Sequence, residues 1–273
     1  MSFAVPLTAA EAAIYESLVV PRYLQLFGES ALGMLWPTSP AAVAHLGCRT
    51  GYPAAQIAER LPGCSLAAVD GSPAAVELAR AKASLLRGIS TQYALAEQLP
   101  TPLPTGEFSH ALALHPDSRV GDYGFILTEL HRVLAPGGQM VMALPLRGSF
   151  TSLYDLLREY SLRHDMPHFG EAVDLASSAR PNPETIVEQC ERVGFGDVDV
   201  GVELVGVAFE NGRDFLEDPI SRLVVGPDVR LSLPVDTGVD EAMMYVADAL
   251  SKYWSEIQFD LEVNIGCVSA RKL

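Results

Sequence analysis

The sequence predicts an α/β fold built on a mostly parallel sheet with helices on both faces. Three observations carry that expectation. Between residues 41 and 146, short apolar runs alternate five times with segments of helical periodicity. Most of the runs are apolar, as suits strands covered on both faces. The joining turns are short and rich in Gly and Pro, which suits β–α–β units. A chain of 273 residues, 49% hydrophobic and 19% charged, has the length and composition for one large domain of this kind.

An N-terminal helical cap is expected over 1–40, its helix running from about Ala9 to Leu32. The core follows over 41–148. Its first strand, Ala41–Leu46, runs into the glycine turn "HLGCRTG", and "PAAQIAERL" continues at helical spacing. "CSLAAVD" makes the second strand and ends at Asp70. Ser72 and Pro73 then supply an N-cap and a first helical residue for "GSPAAVELARAKASLL". "ISTQYAL" and "FSHALALH" are the third and fourth strands. The amphipathic "GDYGFILTELHRVL" is closed by "APGG", and "QMVMALP" is the fifth strand. Helices dominate 149–182. The C-terminal half, 183–273, adds a helix, a strand "DVDVGVELVGVAF", a long helix and a closing strand "FDLEVNIGCVSA". Within it an insert at about 210–238 (Asn211 to Thr237), broken by Gly and Pro, is expected to be a lid or an interaction element.

Composition excludes several classes of function. A net charge of -15 disfavours a nucleic-acid backbone and an anionic membrane surface, both of which call for clustered Lys and Arg. No apolar run has the length of a membrane span, and no basic leader opens the chain. Cys48, Cys64, Cys190 and Cys267 are scattered without a CxxC pair, which fits a reducing cytoplasm better than a disulfide framework or a zinc site. His164 and His168 have a spacing that suits a metal on a helix, but Pro167 breaks the helix and no third ligand follows, so no metal is expected. In open parallel sheets, ligands bind beyond the carboxyl ends of the strands. The glycine turn and Asp70 both lie at such ends, so a pocket is expected between them.

The order of "VAHLGCRTG", "LAAVDGSPAAVELARAKA", "AEQLP", "GEFSHALALH" and "LTELHRVLAPGGQMVMALP" resembles the class I S-adenosylmethionine-dependent methyltransferases, in the style of their small-molecule and quinone-type branch. The likeness covers about residues 41 to 146, and "GFGDVDV" with the final strand resembles the family's terminal hairpin. It implies a Rossmann-like, seven-stranded, mostly parallel sheet with a C-terminal antiparallel hairpin. It also implies a cofactor site in which Gly47, Gly51, Asp70 and Glu97 are retained. Asp70 would bind the ribose hydroxyls. Four positions depart from the family's pattern. His45 stands where an acid is expected, Arg49 where the middle glycine is, Leu95 where an aspartate lies near the adenine, and Ser109 where the fourth strand opens with an acid.

Loss of two acidic contacts and crowding by Arg49 would weaken cofactor binding by roughly 3–6 kcal/mol. The resemblance thus leads to an expectation of a pseudo-methyltransferase that binds no cofactor and acts through a protein partner. The alternative is an active enzyme that uses S-adenosylmethionine on a small molecule or a protein side chain. For Arg49 three outcomes stand open: a guanidinium pair with Asp70 that fills the pocket, a side chain in solvent, or attraction of an anionic ligand. Asp70 binds ribose or caps the next helix. His115 and Asp117 face substrate or belong to a structural loop. Tyr15, Tyr23 and Phe27 roof a pocket or pack a helix.

Overall fold

The computed structural model describes residues 5–116, 121–233 and 238–273. Its strands are β1 (Ala42–Leu46), β2 (Ser65–Asp70), β3 (Ser90–Leu95), β4 (Phe108–Leu114), β5 (Leu134–Pro145), β6 (Phe195–Phe209) and β7 (Phe259–Lys272). They form one sheet in the order β3-β2-β1-β4-β5-β7-β6. The first five are mutually parallel, whereas β7 runs antiparallel to both β5 and β6. The fold is therefore the seven-stranded arrangement with a C-terminal antiparallel hairpin. Strand order reverses between β1 and β4, and the crevice beyond their carboxyl ends is where such a sheet takes a ligand.

Each strand side chain goes to one of two cores. Val43, fully buried, joins the layer beneath the N-terminal helices, α3 (Ala54–Arg60) and α4 (Pro73–Ala83). Its neighbours Ala44 and Leu46 join the other layer, against α5 (Gly124–Val133) and α8 (Pro183–Val193). Ile57, Leu127, Leu130 and Ile186 are fully buried there and in the first layer, each worth roughly 1.5–3 kcal/mol of transfer free energy. The start of α4 forms as its sequence dictates, with the Ser72 hydroxyl accepting from the Ala75 amide at 3.4 Å and Pro73 in the first turn.

Three local features differ from the sequence pattern. The N-terminal cap runs from α1 (Ala9–Ile14) through a π-helical stretch, Tyr15–Leu24, into α2 (Gln25–Met34). Pro21 lies inside that stretch. It cannot donate the bond an α-helix needs, and the wider turn absorbs the loss. The "APGG" stop becomes a bulge within β5, because Phe108 pairs with Leu134 and His110 with Gln139, leaving four residues looped out between. The insert after Phe209 is helical: α9 (Gly212–Glu217), a π-helical turn Ser221–Val225 and α10 (Gly226–Ser232). Gly212, Gly226 and Pro227 sit at helix starts, where they do not break the helix. The remaining helices are α6 (Thr151–Arg163), α7 (Pro167–Ala179) and α11 (Val239–Tyr253). Among the described residues no helix is long and apolar enough to cross a membrane.

Candidate active site

A cleft of about 950 Å³, solvent at its mouth included, opens at the carboxyl ends of β1, β2 and β4. Leu46, Gly47, Arg49 and Asp70 line one end, and Leu114, His115 and Asp228 line the other. Val5 and Tyr15 close it from the N-terminal segment, while Leu223, Val224 and Leu231 close it from the insert. The insert is thus a lid over the cleft.

The glycine turn keeps its shape despite the arginine. Gly47, Arg49 and Gly51 have φ of 68°, 46° and 88°, so Arg49 holds a left-handed conformation at a cost of roughly 1–2 kcal/mol. At Gly51 a Cβ would lie 3.0 Å from the Ala79 Cβ, a tight approach of turn and α4 that adds to the strain of its left-handed φ. Of the three outcomes open for Arg49, the pairing of its guanidinium with Asp70 does not occur. Asp70 Oδ2 instead accepts the Arg49 backbone N–H at 2.9 Å. The positive φ that presents this amide to Asp70 sends the side chain the other way. Its Nη1 donates to the Val5 carbonyl at 3.0 Å, and its guanidinium carbon lies 5.7 Å from the Tyr15 ring centre.

Asp70 is fully buried, and its other oxygen accepts the Ser72 N–H at 2.8 Å. Among the described residues no cation pairs with it. A carboxylate can accept about four hydrogen bonds, so half its capacity is left for a vicinal diol. Carboxylate, turn and cleft together fit the ribose end of S-adenosylmethionine. A short strap, residues 5–7, lies across this end: Leu7 N–H donates to Ser72 Oγ at 2.9 Å, and Ser72 Oγ donates back to the Leu7 carbonyl at 3.2 Å.

The other substituted positions lie outside the cleft lining. His45 is buried in β1, where burial pushes its imidazole down to about 3, so it is neutral, and its Nε2 finds no partner among the described residues. Leu95 ends β3 opposite Asp70 and is exposed, as is Glu97. Ser109 sits at the far end of the sheet, accepting from the Ala42 amide at 3.0 Å, with its hydroxyl 2.9 Å from His110 Nδ1. His164 follows α6 and stacks on Tyr160, whereas His168 belongs to the first turn of α7 and is exposed, so the pair shares no helix.

At the opposite end His115 has φ 46°, donates its amide to the Ala143 carbonyl at 2.7 Å, and places Nε2 3.0 Å from the Tyr23 hydroxyl. Phe27 packs edge-on at 5.0 Å. Burial lowers the His115 pKa, against the pull of Asp228, and it also raises that of Tyr23. Tyr23 and Phe27 thus back the His115 ring, while Tyr15 lines the cleft. Asp117 lies outside the described residues. The sequence reading missed an ion pair here, Arg180 Nη2 to Asp228 Oδ2 at 2.9 Å, joining the end of α7 to α10. Forty-eight residues separate the two partners, and no motif marks either one.

Comparison with known proteins places this cleft in a family. A family model described as a methyltransferase domain matches residues 43–138. The demethylmenaquinone methyltransferase of Thermus thermophilus is 32% identical over 152 residues, covering 50% of this chain and 69% of that protein. The chain belongs to the class I S-adenosylmethionine-dependent methyltransferases. The ubiquinone/menaquinone biosynthesis C-methyltransferase UbiE of a Geobacter species is 28% identical over 215 residues, 77% of this chain and 87% of that one. Among solved structures, phosphoethanolamine N-methyltransferase 2 of Haemonchus contortus with S-adenosylhomocysteine matches at TM-score 0.55 and 17% identity, over 97% of this chain. The chain spans 57% of that protein's length, and at this identity the likeness speaks for the fold.

The Thermus and Geobacter relatives overturn the expectation of a non-catalytic protein with a degraded cofactor site. They are named as quinone methyltransferases, and the methyltransferase cleft is present here. The physical reason for the error lies at Arg49. The contact the turn makes with Asp70 comes from a backbone amide, which an arginine supplies as well as a glycine does, provided it accepts a left-handed φ.

Proposed function

We propose that this methyltransferase carries the methyl group of S-adenosylmethionine to a ring carbon of a quinone-type acceptor in its reduced, hydroxyl-bearing form. The observation that carries the proposal is one continuous cleft, with the Gly47–Asp70 end fitted to a ribose and the other end enclosed by apolar lid residues and polar His115 and Asp228. The identity to the quinone methyltransferases supports the same acceptor class.

In this reading Asp70 takes the ribose hydroxyls on its two spare acceptor sites, and the Gly47 backbone lies along the cofactor. When bound, that cofactor supplies an electrophilic methyl on a sulfonium. The chain's own contribution is to position the acceptor and exclude water, which suits a direct displacement. In that displacement the new carbon–methyl bond forms as the methyl–sulfur bond breaks, S-adenosylhomocysteine leaves, and the ring carbon releases its proton as aromaticity returns. Phe125, Leu223 and Leu231 form the apolar wall for the acceptor ring and whatever tail it carries. The test is incubation of the purified chain with S-adenosylmethionine and a reduced naphthoquinone lacking the ring methyl. Mass spectrometry should find one added methyl on the ring carbon together with S-adenosylhomocysteine. Cofactor binding with no transfer to any quinol would remove the acceptor assignment.

A further inference from the structure

The lid does more than cover the cleft. We propose that Asp228, carried on α10 and fixed by Arg180, receives the hydroxyl of the acceptor and sets its orientation. The proposal rests on the methyl-transfer reading above and adds the residue that recognises the acceptor.

Asp228 lines the cleft beside His115, and its side chain is 11% exposed. One carboxylate oxygen accepts from Arg180 Nη2. The other takes no donor among the described residues. Arg180 is held from several sides: its side chain is 3% exposed, its guanidinium carbon lies 4.9 Å from the Phe150 ring centre, and Nη2 is 3.4 Å from the Tyr154 hydroxyl. Burial works against its charge, yet Asp228 and Tyr154 outweigh that and keep it protonated.

A latch for the lid does not by itself call for this pair. The Tyr154 hydroxyl already reaches Ser232 Oγ at 3.0 Å and ties α6 to α10. A buried ion pair contributes little net stability, because desolvation offsets most of its attraction. What the pair does provide is a carboxylate at a fixed place on the cleft wall. The groups facing it are neutral: His115 has a lowered pKa and Tyr23 a raised one. The other cleft carboxylates have different positions and partners. Asp70 lies at the ribose end, and Asp122 is exposed and accepts the Gly124 N–H at 2.8 Å. The free oxygen of Asp228 is therefore an acceptor waiting for a donor, and the hydroxyl of a quinol is a donor of the right kind. Asp228 acts as a hydrogen-bond acceptor and Arg180 as a positioning residue. No proton needs to be transferred to either.

The test is Asp228→Asn, which keeps the size and one carbonyl oxygen for Arg180 but turns an NH₂ group toward the acceptor. Binding of a naphthohydroquinone to the cofactor-loaded protein is measured by calorimetry, separately from turnover. Its affinity should fall roughly ten- to a hundred-fold, the span of a hydrogen bond to a charged group, with cofactor affinity unchanged. Asp228→Glu should recover part of the loss. A dimethoxy analogue lacking both hydroxyl donors should bind native protein and Asp228→Asn alike. Unchanged hydroquinone affinity in Asp228→Asn overturns the proposal, and so does an equal loss for the dimethoxy analogue, which would mark a loosened lid. Native protein that binds the hydroquinone but never methylates it counts against the function proposed above, while the binding comparison still decides the role of Asp228.

Discussion

His45 makes the stability of this protein sensitive to acid in a way that one substitution should remove. The imidazole lies in β1 with Ala68 and Leu112 as its strand partners, 2% exposed, and burial pushes its pKa from 6.5 down to about 3. The folded state thus holds it neutral, while the unfolded chain binds a proton below about pH 6.5. Unfolding then takes up a proton, so stability is full above that pH and falls as the pH drops toward 3. From pH 6.5 to pH 5 the loss is about 1.5 pH units at 1.36 kcal/mol each, or about 2 kcal/mol. His45→Leu removes the titration and also the unpartnered Nε2. Urea unfolding at about pH 7.5 and pH 5 should show native protein losing about 2 kcal/mol more than the variant. His110, His115 and His131 also have lowered pKa values and act in the same direction. They are common to both proteins and cancel in the difference. Equal losses in the two would refute the reasoning.

Three further outcomes follow from the cleft. Arg49→Gly relieves a left-handed arginine but frees the strap at Val5, so stopped-flow release of S-adenosylhomocysteine should speed up roughly ten-fold, the low end for a lost charge-assisted hydrogen bond. Asp70→Asn should weaken cofactor binding in calorimetry by roughly ten- to a hundred-fold, since one acceptor oxygen becomes a donor at the ribose end. Gly51→Ala meets both a positive φ and the Ala79 side chain, and thermal unfolding should show a loss of about 1–3 kcal/mol.

Much of the fold was readable because β1, β2, β4 and the second part of β5 are apolar runs bounded by turn residues, and because Ser72-Pro73 marks a helix start by local chemistry alone. The four-residue bulge in β5 was not, since "APGG" reads as a turn until the pairing of β4 and β5 is known. The lid misled for a related reason: Gly212, Gly226 and Pro227 look like breakers but occupy helix starts. At the site, Gly47 and Asp70 were visible because a turn and a strand end are local. The destination of Arg49 depends on Val5, forty-four residues away, and that of Arg180 on a helix later in the chain. The inference of lost activity counted two lost acidic contacts and crowding by Arg49, although the turn offers Asp70 a backbone amide and the Arg49 side chain runs to Val5.

The central claim is that this cleft binds S-adenosylmethionine and passes its methyl to a reduced quinone. The most direct measurement follows a labelled methyl group from S-adenosylmethionine into a demethylated naphthohydroquinone, with native protein and Asp70→Asn side by side. Label in the ring product, with S-adenosylhomocysteine in equal amount and a much slower rate for the variant, is the predicted result. Native protein that neither binds the cofactor in calorimetry nor transfers any label would contradict it.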